Sequence, residues 1–131
     1  MGKSLEKIAI VGLGYVGLPL AIGFSKKYQV IGFDINKKRV KDLNNGIDST
    51  NEIRNKQELL NKNIVYSSDP RSMKGSNFFI ITVPTPTTKS NKHNLSIIGK
   101  AAHLIAPNLE KGAIIILEST VYPGVTETYL L

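Results

Sequence analysis

Apolar residues along the chain switch repeatedly between unbroken runs and a helical rhythm. "KIAIV" (7–11) is a short, β-branched run, as a strand buried on both faces requires. "YVGLPLAIGFSKK" (15–27) spaces its apolar residues for a helix and ends in lysines, which suit a helix C-terminus. "YQVIGFD" (28–34) is a second buried strand. "NKKRVKDLNNG" (36–46) opens on an asparagine cap, carries Val40 and Leu43 three apart, and stops at Asn-Asn-Gly. Residues 47–63 are polar, with one short helix around "NKQELLNK", and "NIVYSSD" (63–69) predicts a third strand. "NFFIITV" (77–83) is the strongest strand in the chain. "NLSIIGKAAHLIAPNL" (94–109) predicts a helix with Leu95, Ile98, Ala102 and Ile105 on one face. "GAIIILEST" (112–120) is another buried strand, and "GVTETYLL" (124–131) begins a helix.

Continuous apolar strands alternating with amphipathic helices predict an α/β fold, a doubly wound parallel sheet with helices on both faces. At 131 residues the chain has the size of one ordinary domain, and no repeat, linker or low-complexity tract divides it. It stops about one turn into its last helix with no C-terminal cap, so residues 1–131 are expected to be one domain of a longer protein, truncated within that domain.

Composition narrows the function classes. Hydrophobic content of 41% and charged content of 21% suit a packed core. No apolar run reaches the roughly 20 residues of a membrane span. "IAIVGLGYVGLPLAIGF" (8–24) comes nearest, but it holds four glycines and a proline. No secretory h-region precedes the first strand, so the expected location is the cytoplasm. The absence of cysteine excludes disulfides and cysteine metal sites. The net charge of +7 comes from lysines scattered along the chain, among them Lys26, Lys56, Lys74 and Lys100. A nucleic-acid face would interleave basic and aromatic residues, so the charge reads as a solvated surface. His93 and His103 have no partner at metal-ligand spacing, and no metal is expected.

Gly12, Gly14 and Gly17 spell G-x-G-x-x-G between a predicted strand and a predicted helix. Gly12 permits the tight turn, Gly14 lets a pyrophosphate approach the backbone, and Gly17 lets helix and strand pack closely. The helix N-terminus then offers unpaired N–H groups and a partial positive charge to phosphate. Pro19 falls in or near the first helical turn, where its missing N–H costs little. The second strand ends in Asp34, 22 residues after Gly12, where a carboxylate accepts hydrogen bonds from an adenosine ribose. Asp34 could equally cap the next helix. As a ribose ligand it repels a 2′-phosphate and favours NAD over NADP. Arg39 has three placements open: against the ribose, against a 2′-phosphate, or on an exposed helix face.

"ITVPTPTT" (81–88) follows the strongest strand, and Pro84 and Pro86 end that strand at its C-terminal edge, where ligands bind in open α/β sheets. Its threonines are placed to donate to ribose or phosphate, unless the segment is only a rigid turn. "ESTVYPGVTE" (118–127) repeats the arrangement after the last strand, putting Glu118, Ser119 and Thr120 on the same rim or at a helix cap.

Together "GLGYVGLPLA", "GFDINKKR", "VPTPT" and "ESTVYPGVTE" resemble the N-terminal domain of the UDP-glucose/GDP-mannose dehydrogenase family over about residues 7–127. The form "ESTVYPG" is most similar to members that oxidise UDP-N-acetylhexosamines for surface polysaccharides. The resemblance implies a Rossmann-type domain that binds NAD. It also implies a full-length enzyme that oxidises the C6 hydroxymethyl of a UDP-sugar to a carboxylate with two NAD, as a homodimer. The implied cofactor residues are Gly12, Gly14 and Gly17 at the phosphates with Tyr15 and Val16 between them, Asp34 at the ribose with Arg39 beside it, and Val83, Pro84, Thr85, Glu118 and Thr120 along the later motifs. Arg39 stands where the family often has lysine. Thr85 and Thr120 match threonines near the nicotinamide, and Thr120 is the implied catalytic position, close to the reacting carbon and its water. The family's second oxidation runs through a cysteine thioester. This chain has no cysteine, and the family's catalytic lysine lies beyond the equivalent of residue 131. The chain alone is therefore expected to bind cofactor and not to turn over sugar. Two other classes share the first motif. One is a stand-alone NAD-sensing domain of a potassium channel or transporter, which does not call for "VPTPT" and "ESTVYPG". The other is an NADP-linked hydroxyacid or phosphogluconate dehydrogenase domain, which Asp34 disfavours.

Overall fold

The computed structural model describes residues 6–84 and 96–118. Its strands are β1 (Lys7–Val11), β2 (Gln29–Phe33), β3 (Ile64–Ser67), β4 (Phe78–Ile81) and β5 (Ile114–Leu117). Its helices are α1 (Gly17–Ser25), α2 (Lys37–Asn44), α3 (Lys56–Leu59) and α4 (Ser96–Ile105), with 3₁₀ turns at Pro70–Met73 and Ala106–Asn108. All four strand pairings are parallel, in the order β3-β2-β1-β4-β5. This is the strand order of a doubly wound dinucleotide-binding sheet.

β1 explains why the sheet is filled on both sides. Ile8 and Ile10 point into a cluster with Leu18, Ala21 and Ile22 of α1 and Val40 and Leu43 of α2. Ala9 and Val11 point the other way, into a cluster with Met73, Phe79 and the α4 residues Ala101 and Ile105. An unbroken apolar run is what such a two-faced strand needs, and each buried Ile, Leu or Phe contributes about 1.5–3 kcal/mol.

The elements are shorter than their apolar runs suggest. The helix predicted from residue 15 starts at Gly17, because Gly14, Tyr15 and Val16 form the turn that precedes it. α2 has the cap and stop that its sequence calls for: Asn36 Oδ1 accepts the Arg39 N–H at 3.1 Å, and Gly46 takes φ +75° just past the end. The turn at Pro70–Met73 has no periodic apolar signal. It is made by Asp69, whose Oδ1 accepts the Arg71 N–H at 2.9 Å. On α4 the deepest residues are Ile98, Ala101 and Ile105, so Ala101 replaces Ala102 on the core face. Leu95, the end of the strand predicted over 112–120, and the helix predicted over 124–131 lie outside the described residues.

The chain passes from β1 through α1 to β2 on one side of β1, and returns to β4 on the other. A crevice therefore opens between the C-terminal ends of β1 and β4. The glycine segment lies there.

Candidate dinucleotide site

Gly12 leaves β1 at φ +105°, a backbone conformation that disfavours side chains, and its N–H donates to Phe33 O at 2.8 Å. Gly17 begins α1 directly against that turn. A Cβ on Gly17 would overlap the Gly12 carbonyl oxygen and stand 2.5 Å from Thr82 Oγ1. Gly14 is the opposite case: a Cβ there would meet nothing within 4 Å. One glycine serves helix–strand contact, and the other faces open space. No described side chain caps α1 and no acidic residue lies in its first turn; the Leu18 and Leu20 N–H groups donate to Gly14 O and Val16 O, which leaves the Gly17 N–H without a described acceptor at the positive end of the helix. Pro19 is the third residue of that helix, where no intrahelical partner is lost.

A cleft of about 750 Å³ lies over this turn. Gly12, Gly14, Tyr15 and Val16 line it on one side, and Asp34 lines it at the end of β2. Val83, Pro84 and Glu118 line it after β4 and β5. Gly17 sits behind the lining, packed on Gly12. Thr85 and Thr120 lie outside the described residues. The sequence did not mark Ile35, Ile97, Lys100 or Leu104 as wall residues, although they share the cleft. Ile97, Lys100, Ala101 and Leu104 form one stripe of α4 at three- and four-residue spacing, a signal that names a face but not what the face looks at.

Asp34 is half-buried. Its Oδ2 accepts the Leu13 N–H at 2.9 Å and its Oδ1 accepts the Asn36 N–H at 2.9 Å. The α2 cap is Asn36, so the capping alternative for Asp34 does not hold. Each carboxylate oxygen has one protein donor and retains lone-pair capacity for a diol.

Arg39 is a correction. It is neither on an exposed helix face nor on the wall of the cleft. It is 8% exposed, with Nε donating to Leu13 O at 2.8 Å and Nη1 donating to Asp48 Oδ1 at 2.8 Å. Arg39 lies one turn into α2 on the same side as Val40 and Leu43, which carries it under the glycine turn. Its partner Asp48 was missed in the polar stretch after α2. The Asp48 carboxylate also accepts from Thr50 Oγ1 at 2.7 Å and from the N–H groups of Thr50, Glu52 and Ile53. Asp-x-Thr is the only sequence signal for that knot. Burial acts to raise the Asp48 pKa, but the bonds from Thr50, Ile53 and Arg39 outweigh it and hold the carboxyl at about 2. Thr82 is a second correction. Its one hydroxyl hydrogen goes to Gly12 O at 2.7 Å, with Val11 O at 3.2 Å, and not to a ligand.

Residues 6–131 match the UDP-glucose/GDP-mannose dehydrogenase family, NAD binding domain. The chain belongs to that family. Protein CapL of Staphylococcus aureus is 49% identical over 122 residues, which are 93% of this chain and 28% of CapL. A UDP-N-acetyl-D-glucosamine 6-dehydrogenase of Salmonella typhi is 46% identical over 126 residues, 96% of this chain and 30% of that protein. The solved UDP-D-ManNAc dehydrogenase of Pyrococcus horikoshii superposes with a TM-score of 0.88 at 38% identity, covering 94% of this chain and 30% of that one. The chain thus spans about 30% of the length of the curated relatives it matches. It is the NAD-binding domain of an oxidoreductase family, and these matches lend no support to the channel-module and hydroxyacid-dehydrogenase readings. Among the described residues no helix is long and apolar enough to cross a membrane.

Proposed function

We propose that this chain is the NAD-binding domain of a nucleotide-sugar 6-dehydrogenase that oxidises the C6 hydroxymethyl of a UDP-N-acetylhexosamine to a carboxylate. The observation that carries the reading is the Leu13–Asp34 bond. It sets a carboxylate beside the glycine turn, on the same cleft as Gly14 and Val16, where α1 begins.

The residues present fit NAD. The open space at Gly14 and the uncapped α1 suit the pyrophosphate. Asp34 suits the 2′- and 3′-hydroxyls of the adenosine ribose, and Ile35, Ile97 and Leu104 give an apolar wall for the adenine. Bound NAD supplies the hydride acceptor for each of two successive oxidations. Asp34 holds the ribose and, by like-charge repulsion, rejects a 2′-phosphate. The family resemblance assigns Thr85 and Thr120 to the nicotinamide end and Thr120 to the reacting carbon; both lie outside the described residues. The UDP-sugar, the cysteine of the second oxidation and a dimer contact belong to the rest of the enzyme, which works in the cytoplasm. The family relatives named for UDP-N-acetylglucosamine and UDP-N-acetylmannosamine support this substrate class.

Fluorescence titration with NADH and NADPH tests the site, on the 131-residue chain and on the gene product that contains it. Saturable NADH binding with NADPH at least about tenfold weaker is expected. Asp34→Ala should erase that preference. Equal binding of both by the unaltered protein would overturn the NAD assignment. Turnover of UDP-N-acetylglucosamine and UDP-N-acetylmannosamine by the whole gene product, with two NADH formed per sugar, tests the activity.

A further inference from the structure

The two peptide groups of the glycine turn are held by three side chains. Thr82 Oγ1 donates to Gly12 O at 2.7 Å, and Asp34 Oδ2 accepts the Leu13 N–H of the same peptide at 2.9 Å. Arg39 Nε donates to Leu13 O at 2.8 Å, on the next peptide. That peptide also carries the Gly14 N–H. A trans peptide points its C=O and its N–H in opposite directions. Drawing the Leu13 carbonyl back toward Arg39 therefore turns the Gly14 N–H away from Arg39. Gly14 lines the cleft, Arg39 does not, and no described residue accepts the Gly14 N–H.

Arg39 is itself held. Nη1 donates to Asp48 Oδ1 at 2.8 Å and to Ser49 Oγ at 3.2 Å. The two side chains are 9% and 0% exposed. Asp48 is fixed in turn by four donors of its own loop, Thr50 N–H and Oγ1 and the N–H groups of Glu52 and Ile53. The Arg39 Nη2 is buried with no partner among the described residues, an arrangement that an ion pair serving stability alone would avoid. Only a guanidinium fork reaches the Leu13 carbonyl and the Asp48 carboxylate at once.

We infer that Arg39 and Asp48 are positioning residues for the pyrophosphate end of the cleft: they aim the Gly14 N–H by holding the Leu13 carbonyl, and touch no ligand themselves. The inference rests on the dinucleotide reading proposed above. It separates two halves of one ligand. Asp34 and the apolar wall serve the adenosine, and the Arg39 brace serves the phosphates.

The test compares adenosine, ADP and NADH binding to the whole gene product by calorimetry or ligand-observed NMR. The variant R39M/D48N removes both buried charges together and so leaves none unpaired. It should bind adenosine as the unaltered protein does, and ADP and NADH at least about tenfold more weakly. R39K keeps the ion pair but not the fork, and should show the same split, smaller; it answers the same question where the double variant does not fold. Unchanged ADP affinity in a variant shown folded by its thermal transition would overturn the inference and leave the pair a structural weld. Equal weakening of adenosine and ADP would overturn it too, as general loosening. Failure of the unaltered protein to bind any of the three would sink the dinucleotide reading, and this inference with it.

Discussion

Gly14 and Gly17 lie three residues apart in one motif and do different work. Gly17→Ala drives a methyl into the Gly12 carbonyl, backbone that cannot swing aside, and should cost about 1–3 kcal/mol or more. Gly14→Ala places its methyl where nothing lies within 4 Å, so stability should stay within about 0.5 kcal/mol while NADH affinity falls at least about tenfold. Urea denaturation beside NADH titration separates the two. A Gly17→Ala protein as stable as the unaltered one would refute the close-contact account. Asp34 combines both kinds of work. Asp34→Ala loses the ribose ligand and also leaves the Leu13 N–H unpaired, so about 1–3 kcal/mol of stability should go with the cofactor preference.

At the scale of elements, caps and loop knots hold the site's supports. Asn36→Ala removes the side-chain acceptor of the Arg39 N–H at the start of α2 and should cost about 1 kcal/mol by urea denaturation. The loop after α2 has a pH signature. The Asp48 pKa is about 2 in the fold against 3.8 ordinarily, so its ionised form is bound more favourably in the fold than in the unfolded chain. A depressed carboxyl pKa gives stability that is whole above about pH 4 and lost as pH falls through about 2, here about 2 kcal/mol. The stability difference between the unaltered protein and Asp48→Asn should shrink by that amount from pH 5 to pH 2. A pH-independent difference would mean that Asp48 titrates normally. Arg39 is the cation that faces it, and Tyr66 lies within its field with a phenol that burial holds above the usual range.

Over the whole molecule, the sheet order sets where stability lies. β1 is the centre strand, paired on both edges and packed on both faces, with Ala9 and Ile10 fully buried. Among the described strands β5 lies at an edge, and Ile114 is 50% exposed. Amide exchange of the 131-residue chain should be slowest in β1 and β4 and markedly faster in β5. Uniform protection across the five strands would contradict this gradient. The site is built on the slow part, since its glycine turn is the continuation of β1 and Thr82 the continuation of β4.

The sequence by itself determined the strand–helix alternation, the parallel sheet, the glycine turn and the carboxylate after β2. These are local: apolar runs, a 3.6-residue period, caps and glycines act on neighbours a few residues away. Family membership was legible for the same reason, in four short motifs at set places along the chain. Only the tertiary structure decided what Arg39, Asp48 and Thr82 do. Each acts across 9 to 70 residues of chain, as in the Arg39–Asp48, Arg39–Leu13 and Thr82–Gly12 bonds. Arg39 stayed open between the ribose, a 2′-phosphate and an exposed helix face because nothing in its neighbours states which side of α2 meets the glycine turn. That depends on how α2 packs on the sheet, which no short stretch of sequence encodes.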